Sequence, residues 1–232
     1  SVVLSTGGYG GNAQMMAEQF GEKAGTGLVK TATGDGIQMA WSVGARKSGQ
    51  DVAQWFGMTY DAQNAAKLTY KSELTNFVRN PMLFVNNEGK RFGSEEEAYE
   101  SAALGTMMYA QEEAEMFIIF DTAMIQNVAE LGLAEVFVDK WAHLYGQGIK
   151  YVEAGHEQNI DAMTEAWRAP KDYTEVIEDA VGAGVVIKAD TIEALAEKLN
   201  APYLIEEVKN YNAMVENGED TQFHKDSKFL DA

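Results

Sequence analysis

Two glycine clusters and three short polar motifs hold the residues of this sequence that could do chemistry. In Gly7-Gly8-Tyr9-Gly10-Gly11-Asn12-Ala13, the residues Gly8, Gly10 and Ala13 satisfy a G-x-G-x-x-G/A spacing. The backbone amides of such a loop can cradle a pyrophosphate at a helix N-terminus. A plain strand-to-helix turn uses the same glycines, and Gly25 to Lys30 supplies no second strand ending in the acid a dinucleotide fold requires. In Thr33-Gly34-Asp35-Gly36, Asp35 stands at a helix start, where it can accept ribose or flavin hydrogen bonds or cap its own helix. The polar motifs are Thr75-Asn76-Phe77-Val78-Arg79, Gly89-Lys90-Arg91-Phe92 and the stretch from Glu95 to Tyr99. His143, His156 and His224 stand at no ligand spacing and no acidic pair joins them, so no metal site is expected. The acidic run Glu95-Glu96-Glu97 with Glu100, like Glu112 and Glu113, reads as a solvated helix face.

Composition narrows the partners. The 232 residues carry 36 Asp and Glu against 18 Lys and Arg, a formal charge of −18. That charge repels nucleic-acid phosphates and anionic lipid head groups, and no basic cluster interrupts it. The absence of cysteine excludes disulfides, thiolate metal ligands and a cysteine nucleophile, while leaving the compartment open. No apolar run approaches the roughly 18 to 20 residues that span a bilayer. With 46% hydrophobic residues, the chain has ample material for a folded core. It starts at Ser1 without an initiator Met, which is expected of an internal piece of a longer protein.

Elements must hold these motifs in place. Val2-Val3-Leu4 reads as a strand whose exposed edge could pair two copies of the chain; Asn12 then caps a helix through Met15, Met16 and Phe20. A second helix follows Gly34 and stops at Gly44. Met82 to Val85 and Met116 to Phe120 read as buried strands, with Asn87-Glu88-Gly89-Lys90 as a hairpin turn leading to Phe92. Ile160 to Trp167 has a helical pattern ending at Pro170. Asp190 with Glu193 makes a capping-box-like start for Ile192 to Leu199, and a last helix after Pro202 runs through Leu204, Val208, Tyr211 and Val215 to Gly218.

Four segments in order, VVLSTGGYGGN, ATGDGIQMAWSVGA, FVNNEGKRFGSEE and TIEALAEKLN with VKNYNAMVENGEDTQF, resemble the flavoprotein subunits of fumarate reductase and succinate dehydrogenase in their soluble single-chain branch. The resemblance covers nearly the whole chain and is weakest from about 135 to 180. It implies an FAD-dependent oxidoreductase in which a capping domain holds substrate over the flavin. On that map residues 1–55 are a remnant of the FAD-binding domain, 56–226 the cap and 227–232 a tail. Thr6, Gly7, Gly8 and Asp35 fall on the cofactor side, Asp35 at the family's FAD-contacting aspartate. The family's N-terminal G-x-G-x-x-G unit and its C-terminal substrate histidine and arginine have no counterpart here. FAD is therefore expected in a full-length parent and not in this piece, which by itself should be inactive.

The resemblance also locates the reacting groups. Thr75 and Asn76, with Arg79, fall on the family's T-E-x-x-R segment, Asn76 replacing the proton-relay glutamate. The family's proton-donor arginine, seven residues beyond the phenylalanine of G-K-R-F, is Tyr99 here. A phenol at that place resembles the related ketosteroid dehydrogenases, so fumarate is not the expected substrate. Hydride addition to a C=C bond requires a proton donor on the opposite face. A phenol of pKa about 10 can serve if cations such as Arg79 and Arg91 lower its basicity. The site expected from sequence is thus Tyr99, Arg79 and Arg91, with Thr75 and Asn76 binding substrate and Glu95 pairing with Arg91. The fold expected is α+β. The expected partner is a small unsaturated molecule, and the electron donor is left open. The rival reading is a stand-alone acidic α+β binding module without cofactor, whose glycine loops are only turns.

Overall fold

A computed structural model of the chain describes residues 2–27, 29–49, 52–138, 165 and 167–230. Helices dominate around one small sheet, an α+β arrangement. The sheet is the antiparallel pair β1 (Leu83–Val85) and β2 (Phe117–Ile119), with Leu83 opposite Ile119 and Val85 opposite Phe117. Both faces are covered. Phe84 and Ile118 join Leu74, Phe77, Val128 and Ile177 in the main core, which packs α4 (Lys71–Val78), α6 (Thr122–Leu131) and α8 (Thr174–Ala183) on one side. Leu83, Val85, Phe117 and Ile119 turn to a second core with α9 (Ile192–Leu199) and α10 (Leu204–Asn217). Strands covered on both faces read as unbroken apolar runs, which is why MLFV and MFIIF are visible in the sequence.

The remaining helices are α1 (Ala13–Phe20), α2 (Asp35–Ser42), α3 (Ala62–Ala65), α5 (Ser101–Ala110) and α7 (Leu133–Val136). Asn12 caps α1 as expected, its side chain accepting from Met15 N. Gly218, at φ +68°, ends α10. The cap of α9 is Thr191, whose hydroxyl accepts from Ala194 N at 3.2 Å, so the expected Asp190 box is displaced by one residue. The hairpin is also shorter than expected. Beyond the turn, only Val85 and Arg91 make a bridge before the chain enters the single turn Glu95–Tyr99. Val2, Val3 and Leu4 are not a strand: they lie exposed and unpaired, so the edge expected to join two copies is not formed there. A short apolar run becomes a strand only where neighbours accept its hydrogen bonds. The expected helix at Ile160 to Trp167 and the histidines 143 and 156 lie wholly or largely outside the described residues.

Two glycines separate close approach from mere tolerance. Gly89 sits at φ +84° against the start of α10, where an added Cβ would come within 2.6 Å of Leu204 N. Gly182, inside α8, has nothing within 4 Å of that position. Gly89→Ala should destabilise the chain by about 1–3 kcal/mol through overlap and a strained φ. Gly182→Ala should stabilise it by about 0.5–1 kcal/mol. Urea unfolding midpoints measure both; changes of one sign would contradict the packing at the turn.

Residues 2–56 contribute little to either core. Met16 is the one buried apolar side chain among the described residues of that stretch, while Val2, Val3, Leu4, Val29, Met39, Val43, Val52 and Phe56 are exposed. The stretch is attached along α5. Trp55 stacks on Tyr109 with centroids 4.2 Å apart, Phe20 meets Trp55 edge-on, and Lys23 Nζ donates to Gln111 O at 2.9 Å. Gly105 lets the backbone of Trp55 and Phe56 lie against α5, since a Cβ there would meet Trp55 C at 2.7 Å.

Candidate active site

The two glycine clusters fold against each other. Gly11 N donates to Ala32 O at 2.9 Å and Asn12 Nδ2 to Thr33 O at 3.0 Å, so the starts of α1 and α2 lie side by side. Thr6 packs on Gly36, where any Cβ would overlap its Oγ1. Gly7, at φ +76°, and Gly8 face open space, and Asp35 is exposed in the first turn of α2, receiving the Thr33 hydroxyl at 3.0 Å. The structure therefore brings Thr6, Gly7, Gly8 and Asp35 to one bare backbone surface. Gly34, not Asp35, occupies the capping position of α2, which leaves the Asp35 carboxylate facing solvent.

Arg91 is placed differently from the expectation. Its guanidinium is buried between the rings of Tyr211 and Phe223, with centroid distances of 5.0 and 5.1 Å. Nε and Nη2 donate to Glu95 at 2.8 and 2.7 Å; Nη1 and Nη2 donate to Asp220 at 3.0 and 2.9 Å; Nη1 also reaches Gln222 Oε1 at 2.9 Å. A guanidinium has five N–H donors, and all five are engaged. In this arrangement none is left for a substrate, and Arg91 forms a buried structural ion pair. Its pairing with Glu95 is as expected, but Glu95 is fully buried, which corrects the reading of the acidic run as a solvated face. Lys225 completes the cluster, its Nζ 3.4 Å from Glu95 and donating to Pro81 O and Tyr211 Oη at 2.8 and 2.6 Å. Burial pushes its pKa down to about 8 against the pull of Glu95. Burial works to raise the Asp220 carboxyl as well, but the Arg91 hydrogen bonds and three backbone amides hold it well below the usual carboxylate range.

Tyr99 also departs from the expected role. It is 5% exposed in the main core, edge-on to Phe229, and its hydroxyl donates to Val138 O at 2.8 Å with Asn80 Oδ1 at 3.3 Å. Asn80 is itself committed, its amide closing the end of α4 on Asn76 O and Phe77 O. In this arrangement the Tyr99 phenol packs in the core and its hydroxyl anchors the Val138 carbonyl.

A different set converges around α4. Thr75 and Arg79, one turn apart, share a helix face, and the Thr75 hydroxyl meets the Tyr60 hydroxyl at 3.1 Å. Thr75 spends its single proton on Lys71 O at 2.8 Å, so Tyr60 is the donor between them. Arg79 is half-buried. Its Nη2 donates to Met58 O at 3.3 Å, and its buried Nε has no partner among the described residues. Gly57 makes room for it, because a Cβ there would lie 2.9 Å from Nη2. Burial raises the Tyr60 phenol, opposed by the Thr75 hydrogen bond and the Arg79 charge. Asn76 lies on the exposed side of α4 and its side chain joins none of these groups among the described residues. Tyr60 also lines a cleft of about 900 Å³ bordered by Met58, Leu74, Met82, Ile118 and Ile177. No sequence motif marks Tyr60, because fifteen residues of loop and helix separate it from Thr75.

Residues 1–230 match the model of a family described as FAD binding domain. A vinyl phenol reductase of Lactiplantibacillus plantarum is 29% identical over 240 residues, covering 99% of this chain and 43% of that protein. An NADH:acrylate oxidoreductase of Vibrio harveyi is 29% identical over 233 residues, covering 97% of this chain and 18% of that protein. The chain thus spans less than half the length of either relative. Among solved structures, a 3-ketosteroid-Δ4-(5α)-dehydrogenase of Rhodococcus jostii RHA1, in complex with 4-androstene-3,17-dione, superposes with a TM-score of 0.56 at 19% identity, over 98% of this chain and 36% of that one.

Proposed function

Since the chain belongs to the FAD binding domain family, we propose that it is part of a longer flavin-dependent oxidoreductase that reduces a C=C bond conjugated to an oxygen-bearing, electron-withdrawing group. Two relatives are named for acrylate, a substrate of that class, and for vinyl phenol, whose C=C bond is conjugated to an oxygen-bearing ring. In this reading residues 1–55 are the cofactor side, 56–226 the substrate cap and 227–232 a tail. The bare glycine surface fits the cofactor: Thr6, Gly7, Gly8 and Asp35 would hold FAD, which when bound supplies hydride chemistry.

The observation that carries the proposal is Arg79. A buried donor without a partner is rare in a folded protein and marks a place where an absent group belongs. A half-buried cation with a spare N–H can bind the carboxylate or oxyanion that gathers charge as hydride adds to the conjugated carbon. Purifying the whole protein that carries this sequence tests the proposal. It should show flavin absorption bands, and after reduction an acrylate or a vinyl phenol should reoxidise it. A protein without flavin, or a reduced flavin that no conjugated alkene reoxidises, would refute the assignment.

A further inference from the structure

We propose that Tyr60 is the proton donor of this reduction, an inference that rests on the function proposed above. Five groups near the expected site could be asked to protonate a carbon, and four are disqualified by their chemistry or their surroundings. The Thr75 proton is fixed on Lys71 O, and an alcohol is too weak an acid. Arg79 is the cation proposed above to hold the substrate's oxygen, a role that needs its protons kept in place. The Tyr99 hydroxyl is committed to Val138 O inside the core. Tyr211 borders the cleft from the opposite side of the sheet, and its hydroxyl receives Lys225 Nζ at 2.6 Å. Among the described residues, Tyr60 alone combines a proton held on a neutral acceptor, a wall of the cleft and a nearby cation with an unpartnered N–H.

Bound FAD, once reduced, would supply a hydride to the alkene carbon remote from the electron-withdrawing group, which forms one C–H bond. The π pair moves to the adjacent carbon, which takes the Tyr60 hydroxyl proton to form the second. Tyr60 is left as a phenolate beside the Arg79 charge and regains a proton from water in the cleft. Burial, which keeps the phenol protonated at ordinary pH, maintains the donor form between turnovers.

Tyr60→Phe removes only the hydroxyl, and Thr75 keeps its bond to Lys71, so no buried group is orphaned. In the whole flavin-loaded protein this variant should lower kcat by roughly 10²- to 10⁴-fold, the range of general acid catalysis. Flavin content and the calorimetric affinity for the saturated product should stay within about threefold, because the lost contact acts on the transition state only. Tyr99→Phe should keep turnover and lose about 1 kcal/mol of stability, the worth of one buried hydrogen bond. The proposal is overturned if Tyr60→Phe keeps its turnover with the alkene step rate-limiting. It is also overturned if product affinity falls as much as turnover, which would make Tyr60 a positioning residue. A wild-type protein that binds flavin but reduces no conjugated alkene would overturn this inference together with the function it rests on, whereas an active wild type and an active Tyr60→Phe would overturn this inference alone.

Discussion

Replacing Arg91 with alanine is expected to cost the fold about 3–5 kcal/mol, because it strips the partner from two buried carboxylates. Single domains are stable by about 5–15 kcal/mol in all, so the variant should sit near unfolding at room temperature. The side chains of Arg91, Glu95, Asp220 and Lys225 are all inaccessible to water. Removing the cation leaves Glu95 with Lys225 and a long bond from the Phe84 amide, each at 3.4 Å, and leaves Asp220 supported only by the amides of Gln222, Phe223 and Lys225. Arg91→Lys keeps the charge but cannot reproduce five planar donors, so its loss should be intermediate. Equilibrium urea unfolding settles it: an Arg91→Ala midpoint equal to wild type would mean that the cluster does not join the turn after β1 to the C-terminal loop.

The same cluster has a pH signature. Asp220 has a depressed folded pKa, so its stabilisation is present above the ordinary carboxylate pKa and is lost as pH falls below it. Lys225 acts in the other direction. Its folded pKa is about 8 against 10.5 for the unfolded group, so between those values the unfolded chain binds more protons and stability from this group rises with pH. Lys225→Met should remove that rise while keeping the acid-side loss.

Why the sequence shows some of this and hides the rest follows from the range of each interaction. β1, β2 and the ends of α1 and α10 are legible because burial on both faces, a capping Asn12 and a terminal Gly218 act within a few residues. The Arg91 and Glu95 pair is legible from proximity, but Asp220 lies 129 residues away from Arg91 and only the fold brings it there. That distant partner is what converts Arg91 from a candidate substrate group into a saturated structural one. The burial of Tyr99 is hidden for a related reason. Its offset from Phe92 is a local count, whereas its burial depends on Val138 and Phe229, from two distant segments. The Tyr60 contact with Thr75 requires a loop to fold back along α4, and no periodicity announces such a contact.

Arg79 and Arg91 therefore make opposite predictions from one chemistry. Arg79→Ala removes one long hydrogen bond to Met58 O and an Nε–H that has no partner among the described residues. A group contributing so little to the fold should cost less than about 1 kcal/mol of stability when deleted. If it receives the oxygen of the substrate as charge develops there, its loss should lower kcat/KM by roughly 10²- to 10³-fold, the usual cost of deleting a preorganised donor to an oxyanion. Gly57→Ala offers an indirect version of the same deletion. Its Cβ would stand 2.9 Å from Arg79 Nη2 at a backbone φ of +52°, so the guanidinium must move although its charge is kept. Both variants should lose activity, and Arg79→Lys should recover only part of it, since one ammonium cannot replace a planar fork. Should Arg79→Ala unfold as readily as Arg91→Ala, or keep full kcat/KM on a conjugated alkene, the unpartnered Nε would not be a substrate contact.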